Sequence, residues 1–245
     1  MNTMENDRLM RIIQRFREMR LPMMAEQLIN LIESNELPTL SPIDLIDRIS
    51  EAEFHSRKNN TVERFRRNAR FSQSNARLLD LNFKPERNLN KSLIQQLQTN
   101  DYVQKRRNVI LLGATGSGKS YLVNALGHHA CEGFHTVLYT RVFEIVGDLA
   151  HARLTGDLRR AYQRFIQPDV LIIDDFLIYN LNEQEIIDIF KIMEYRHSRN
   201  STIFCSQYDP VEWHRRLGAD PLAESIIDRI ISNSHKMILA GDSLR

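Results

Sequence analysis

Long apolar runs are missing from this chain. No stretch of its 245 residues approaches the ~18 needed to cross a membrane. The opening segment, from Met1 to Arg11, is polar and holds no apolar core of the kind a secretory leader carries. Cysteine is scarce: Cys131 and Cys205 have neither metal-ligand spacing nor a disulfide-rich context. A reducing, cytoplasmic setting is therefore expected. Glycine is absent before Gly113, and the first third reads as helical. Charge is nearly balanced at +2, yet unevenly spread. Residues 1–107 carry 19 Lys/Arg against 14 Asp/Glu, and the remainder carries 14 against 17. The excess concentrates at 55–77, where Arg57, Lys58, Arg64, Arg66, Arg67, Arg70 and Arg77 face the single acid Glu63. Such a run is either a solvated helix face or a set of phosphate contacts to nucleic acid.

The glycines that are present make a loop with a mechanism. Gly113-Ala114-Thr115-Gly116-Ser117-Gly118-Lys119-Ser120 is a complete G-x-x-x-x-G-K-[ST] pattern. It follows the apolar run Val109-Ile110-Leu111-Leu112 and leads into a helical stretch from Tyr121. In a strand–loop–helix setting the backbone curls around an anion and turns successive N–H groups into the concavity. Lys119 then reaches the β- and γ-phosphates of ATP, and the Ser120 hydroxyl ligates Mg²⁺. Downstream, Val170-Leu171-Ile172-Ile173 is unbroken apolar, as a strand buried on both faces should be, and it ends in Asp174-Asp175. This is a Walker B pattern: Asp174 holds the Mg²⁺, and Asp175 orients or deprotonates the attacking water.

Organisation follows from periodicity. Residues 1–70 are expected to form an N-terminal helical domain for partner or DNA interaction. Apolar residues recur there at helical spacing, broken at Leu21-Pro22 and restarted at Ser41-Pro42. Its methionines (Met10, Met19, Met23, Met24) read as core filler. Residues 71–105 read as a linker with one helix, and 106–245 as the nucleotide-binding core. Five strand-like runs, near 108–112, 136–139, 169–174, 202–206 and 236–239, alternate with helices. That pattern predicts an α/β fold with a parallel, doubly wound sheet. Two helices at 141–154 and 158–165 form an insertion bearing Arg141, Arg153, Arg159, Arg160 and Arg164.

Three further features carry chemistry. The run from Ser201 ends in Ser206-Gln207, where a polar side chain can meet the lytic water or the γ-phosphate. Gln207 is the first candidate and Ser206 the second, although a strand end capping the next helix fits the local pattern equally well. Arg229, beside Asp228 on an apolar helical stretch, is either a surface ion pair or a cation completing a neighbour's site. His128-His129 lacks a third ligand at metal spacing, and Trp213 reads as a packing anchor.

Taken together these residues resemble the IstB family of transposon ATPase helpers and, more distantly, the DnaC-type helicase loaders of the AAA+ class. The likeness rests on the opening Arg17-Glu18-Met19-Arg20-Leu21-Pro22-Met23-Met24-Ala25-Glu26, the phosphate loop, and Pro168 through Asp175. It continues through Ser201 to Gln207 with Glu212-Trp213, Leu222-Ala223 with Asp228-Arg229, and the closing Gly241-Asp242-Ser243-Leu244-Arg245. The resemblance implies an AAA+ ATPase that assembles with copies of itself, as ring or filament, on double-stranded DNA and recruits or regulates a transposase. It implies Gln207 or Ser206 as sensor 1, Arg229 as an arginine finger acting in trans, and the 141–166 insertion as a DNA-facing element. DNA contacts are thus expected from Arg57, Lys58, Arg64, Arg66, Arg67, Arg70, Arg141, Arg153, Arg159 and Arg160. Two departures stand out: Asp175 replaces the glutamate common in AAA+ ATPases, and only sixteen residues follow Arg229, leaving no room for a C-terminal helical lid. Alternatives are a helicase loader, or a switch that binds ATP and DNA without hydrolysis; a small-molecule kinase is disfavoured because no acceptor-binding lid is visible.

Overall fold

The computed structural model describes residues 3–81 and 89–240. The closing motif at 241–245 lies outside the described residues. The chain divides into two compact units, Met1–Arg64 and Phe65–Arg245.

The first unit is helical, built from α1 (Thr3–Glu18), α2 (Pro22–Glu33) and most of α3 (Pro42–Ala69). Pro22 opens α2 at its first helical position, where no N–H is needed. Ile13, Ala25, Leu28, Leu31 and Ile49 form the core, with Phe16, Met24 and Leu45 packed against it. Glu53 is buried and accepts the Met23 N–H at 3.0 Å and the Arg57 Nε at 2.8 Å. Burial pushes its carboxyl up, but Arg57 and the backbone donors outweigh that and hold it below the ordinary value. Met10 and Met19 depart from the expected core role and are exposed, at 53% and 57%. Their positions fall outside the face that Ile13 and Phe16 turn inward.

The second unit holds the sheet. After a strap at 71–81, α4 (Lys91–Gln98) and α5 (Asp101–Gln104) lead into β1 (Asn108–Gly113) and α6 (Lys119–Glu132). There follow β2 (Val137–Arg141), α7 (Val142–Thr155), α8 (Leu158–Ile166), β3 (Val170–Asp174) and α9 (Glu183–Arg196). The series ends with β4 (Ser201–Ser206), α10 (Pro210–Arg216), α11 (Pro221–Ile231) and β5 (Ser234–Leu239). The five strands are all parallel in the order β2-β3-β4-β1-β5. β5 starts two residues earlier than its apolar run suggests. It is an edge strand, so Ser234, His235 and Lys236 pair through their backbones with Asn108, Val109 and Ile110 while only alternate side chains are buried.

Alternation along the strands sends side chains to two cores. Val109, Leu111, Val170, Ile172, Ile203 and Cys205 face α4–α6 and the strap. Ile110, Leu112, Leu171, Ile173 and Phe204 face α7–α11, where fully buried Trp213 packs edge-on against Phe176. The strap and α4 thus form part of the core's packing: Gln73 O accepts the His128 Nε2–H at 3.0 Å, and a Cβ on Gly127 would lie 2.4 Å from the Phe71 ring. Helix starts follow local chemistry. Asp209 and Asp220 cap α10 and α11 just ahead of a proline, and Asn182 with Glu185 forms a reciprocal capping box on α9. Among the described residues no helix is long and apolar enough to cross a membrane, and none follows β5.

Arg196 is the strut of this unit. It is 2% exposed, and its guanidinium donates to the carbonyls of Phe165, Ile166, Pro168 and Ser201 and to the Thr202 hydroxyl. Burial pulls its pKa down to about 9, which still leaves it charged at neutral pH. One planar fork therefore joins the end of α8 to the starts of β3 and β4. Arg196→Leu strands these acceptors without donors and is expected to lower unfolding free energy by roughly 3 kcal/mol or more. Urea or thermal denaturation checks this, and Arg196→Lys should recover only part of the loss because an ammonium cannot reproduce the fork.

Candidate functional site

A parallel sheet delivers every strand's carboxyl end to the same edge, and the predicted nucleotide residues gather there. β1 leaves the sheet into the loop 113–118, where Gly116 and Gly118 adopt φ of 85° and 89°. These left-handed conformations suit glycine and curl the backbone. At Gly113 the constraint is space, since a Cβ would lie 2.5 Å from the carbonyl oxygen of Leu239 on β5. Lys119, in the first turn of α6, is buried, and its Nζ donates to the carbonyls of Gly113 and Ala114, each at 2.7 Å. The ammonium is thereby held across the loop. Ser120 and Tyr121 follow on the same turn, with the Tyr121 hydroxyl accepting the Arg77 N–H of the strap at 3.2 Å.

Asp174 ends β3 at 1% exposure. Its carboxylate accepts the Tyr139 hydroxyl at 2.8 Å and the Asp175 N–H at 2.9 Å. Burial, then the charge of Asp174, pushes the Tyr139 phenol up, so it stays a donor. The same two causes push the neighbouring Cys205 thiol up, leaving it a neutral packing group. Asp175 takes φ 54°, a left-handed turn that aspartate tolerates better than most residues. Its carboxyl is 39% exposed and lies 3.6 Å from the Arg141 Nε. Burial and Asp174 push the Asp175 pKa up, while Arg141 and Lys119 draw it down.

Of the two polar residues ending β4, Gln207 faces the loop, and its Oε1 accepts the Thr115 hydroxyl at 2.9 Å. Ser206 is buried and committed elsewhere. It donates to the Phe176 carbonyl at 2.8 Å and accepts the Trp213 Nε1–H at 3.1 Å. Arg229 sits apart from all of these. Its guanidinium donates to Ser225 O at 2.9 Å and to the Ser225 hydroxyl, lies 3.6 Å from Glu194, and covers the Phe190 ring at 5.1 Å. Its carbonyl accepts from Asn108 Nδ2 at 3.2 Å, and Asn108 is the first residue of β1. The phosphate loop begins at the other end of that strand, about 17 Å away by strand rise.

The arginines grouped in the sequence as DNA contacts separate in the structure. Arg57 is paired with Glu53, Arg66 with Glu132 at 2.5 Å, and Arg153 bidentately with buried Asp188. Arg141 stands at the nucleotide edge, in register with Asp174. Lys58 lies over the Phe54 ring, and Arg64 has contacts of its own. Arg67, Arg70, Arg159 and Arg160 are exposed. Periodicity gave no sign of Arg141 or Tyr139 at the site, because strand order decides which strand ends are neighbours. The His128 and His129 rings bond to Gln73 O and Gln98 O, and among the described residues no three His, Cys, Asp or Glu groups cluster as a metal site. A hydroxyl at Ser120 and a carboxylate at Asp174 nonetheless suit Mg²⁺, which keeps most of its waters and needs only one or two protein oxygens.

Comparison with known proteins agrees with this geometry. The family model for IstB-like ATP binding proteins matches residues 14–245, and the chain belongs to that family. The insertion sequence ATP-binding protein y4pL of Sinorhizobium fredii is 34% identical over 222 residues, covering 91% of this chain and 90% of that protein. Among solved structures, the DnaC helicase loader superposes with a TM-score of 0.54 at 19% identity, over 67% of this chain and 97% of that one. The replication initiator DnaA bound to AMPPCP and single-stranded DNA gives 0.57 at 17% identity, over 70% and 52%. These two likenesses concern the fold, which is the AAA+ P-loop architecture with N-terminal helices added.

The opposing influences on Asp175 are separable. Carbon-detected NMR titration of its carboxyl is expected to give a midpoint above the ordinary aspartate range. In Arg141→Gln, which removes one of the two downward influences, the midpoint should rise further. An unchanged midpoint would mean that the Arg141 contact does not form in solution.

Proposed function

We propose that this protein is an ATPase that assembles head-to-tail with copies of itself on double-stranded DNA and acts as a transposition helper, recruiting or regulating a transposase in the bacterial cytoplasm. One observation carries the reading: phosphate loop, acidic pair and Gln207 share one edge of the sheet, while Arg229 lies at the other. An arginine so placed meets a triphosphate only when another copy supplies it. Family membership supports ATP binding and the insertion-sequence setting.

In this reading the loop amides and the α6 N-terminus bind the β- and γ-phosphates, and Lys119 exchanges its two loop carbonyls for phosphate oxygens. Ser120 and Asp174 would hold Mg²⁺, which supplies charge neutralisation at the transferring phosphoryl group. Tyr139 fixes the Asp174 carboxylate by donating to it. Asp175 accepts the proton of the attacking water, Gln207 orients that water beside the loop, and Arg229 of the next copy stabilises charge on the leaving oxygens. DNA is held through its phosphates, and the exposed Arg67, Arg70, Arg159 and Arg160 are the foremost candidates.

A second reading, a switch that hydrolyses negligibly, draws on the Arg141–Asp175 contact, which occupies the proposed base. The fold shared with the DnaC loader keeps a helicase-loading role as the alternative biological setting, distinguished by whether a hexameric helicase or a transposase is bound.

Turnover per copy is expected to rise with protein concentration and with added duplex DNA, and Asp175→Asn should lengthen the life of the ATP-dependent DNA complex. Steady-state phosphate release across a dilution series, read beside light scattering, checks the first. A constant rate per copy with no DNA effect contradicts assembly, and an unchanged complex lifetime in Asp175→Asn favours the switch.

A further inference from the structure

Asn124 is a polar residue in an apolar place. It lies in the interior of α6 at 0% exposure, with Val123, Ala125 and Leu126 buried beside it. A carboxamide there is costly unless its groups are bonded, and all of them are. Its Oδ1 accepts the Gln73 N–H of the strap at 3.3 Å, while Nδ2 donates to the Ser72 hydroxyl at 3.1 Å and to the Ser120 carbonyl at 2.6 Å. These partners fix which way the amide points, since the Gln73 N–H only donates and the Ser120 carbonyl only accepts. One side chain thus joins the strap to the residue whose hydroxyl suits Mg²⁺.

A second line runs from the same serine. The Ser72 side chain is also a hydrogen-bonding neighbour of the Tyr139 phenol, and Tyr139 donates to the Asp174 carboxylate at 2.8 Å. Ser72 therefore stands between the two protein groups that suit the metal, reaching Ser120 through Asn124 and Asp174 through Tyr139. Docking of the strap needs none of this. The Phe71 and His128 rings pack with centroids 4.0 Å apart, Gln73 O bonds that histidine, and the Tyr121 hydroxyl bonds the Arg77 backbone N–H and carbonyl at 3.2 and 3.4 Å. An aliphatic residue at position 124 would serve packing better. What Asn124 adds is a hold on the first turn of α6, where Lys119 and Ser120 lie.

We propose that Ser72 is a positioning residue for the metal–nucleotide site, setting the Ser120 hydroxyl through Asn124 and the Asp174 carboxylate through Tyr139 at the spacing a divalent cation requires. This rests on the ATP and Mg²⁺ reading above and gives the strap a part in it. Partners that orient the direct ligands in this way are commonly worth about tenfold or more in metal affinity. Mg²⁺ is exacting about oxygen geometry, so small errors in the two groups are felt. Phosphate binding by the loop amides and Lys119 does not pass through Ser72, so nucleotide without metal should bind as before.

The test uses the full chain, AMPPCP as a nucleotide that resists hydrolysis, and Mn²⁺ as a paramagnetic substitute for Mg²⁺. Ser72 is exposed and belongs to neither core, so Ser72→Ala leaves the packing of this unit in place. Calorimetry in chelator gives the metal-free nucleotide affinity, and paramagnetic resonance gives the Mn²⁺ affinity of the protein–nucleotide complex. Ser72→Ala should keep the first and lower the second about tenfold. Ser72→Thr, which keeps the hydroxyl, should restore it. Unchanged Mn²⁺ affinity in Ser72→Ala overturns the proposal and leaves the strap as packing. An equal loss of metal-free and metal-bound nucleotide affinity also overturns it, because that marks a general loosening of the loop. Wild type that binds AMPPCP in chelator yet takes up no Mn²⁺ with it overturns the metal reading and this proposal together, with ATP binding intact. Neither readout requires hydrolysis or assembly, so both hold if the protein is a switch.

Discussion

All five strands of the sheet run the same way, and that direction decides what each end of the molecule can do. Carboxyl ends bring Asp174, Asp175 and Gln207 to the edge where the phosphate loop and Lys119 lie, and Lys119 and Gln207 both bond to that loop. Amino ends bring Asn108 and, through it, the last turns of α11 to the other. Asn108 also accepts the Thr202 N–H at 3.0 Å, so one amide side chain ties β1, β4 and the helix bearing Arg229. The separation of Arg229 and the phosphate loop is therefore built into the sheet, and side-chain motion cannot close a gap of about a strand's length.

Around that constraint the interior is arranged as a set of satisfied polar anchors. Arg196, Asp174 and Asp188 are each almost wholly buried, and each has its hydrogen-bonding groups occupied by defined partners. They sit between elements: Arg196 between α8 and two strand starts, Asp174 between β2 and β3, Asp188 between α7, α8 and α9. Buried polar groups are costly unless paired, so these positions fix which arrangement of helices the apolar cores adopt. The nucleotide edge differs, with Asp175 part-exposed, conformationally unusual and subject to opposing charges.

Much of this could be read from the sequence where the chemistry is contiguous. The phosphate loop announces itself in eight residues, and the unbroken apolar run before Asp174 signals a strand covered on both faces. The helix starts at Asp209-Pro210 and Asp220-Pro221 are equally local. What escaped reading depends on strand order. Arg141 looked like one more cation of the insertion, and only the pairing of β2 with β3 places it beside Asp175. The same strand order brings the Tyr139 hydroxyl to Asp174. Charge runs also hide their pairing: Arg57 meets Glu53 one turn back on the same helix, while Arg66 and Arg153 meet Glu132 and Asp188, which lie far away in sequence.

The central claim is that the ATP site is completed by Arg229 of another copy, and mixing two inactive variants tests it most directly. Lys119→Ala lacks a working phosphate loop but keeps its arginine; Arg229→Ala keeps its loop but lacks the arginine. Each alone should hydrolyse little ATP. Combined, they should regain a substantial share of wild-type turnover, since intact loops then meet intact arginines at mixed interfaces. Failure to recover activity in mixtures that demonstrably co-assemble, or near-normal turnover by Arg229→Ala alone, would contradict the account.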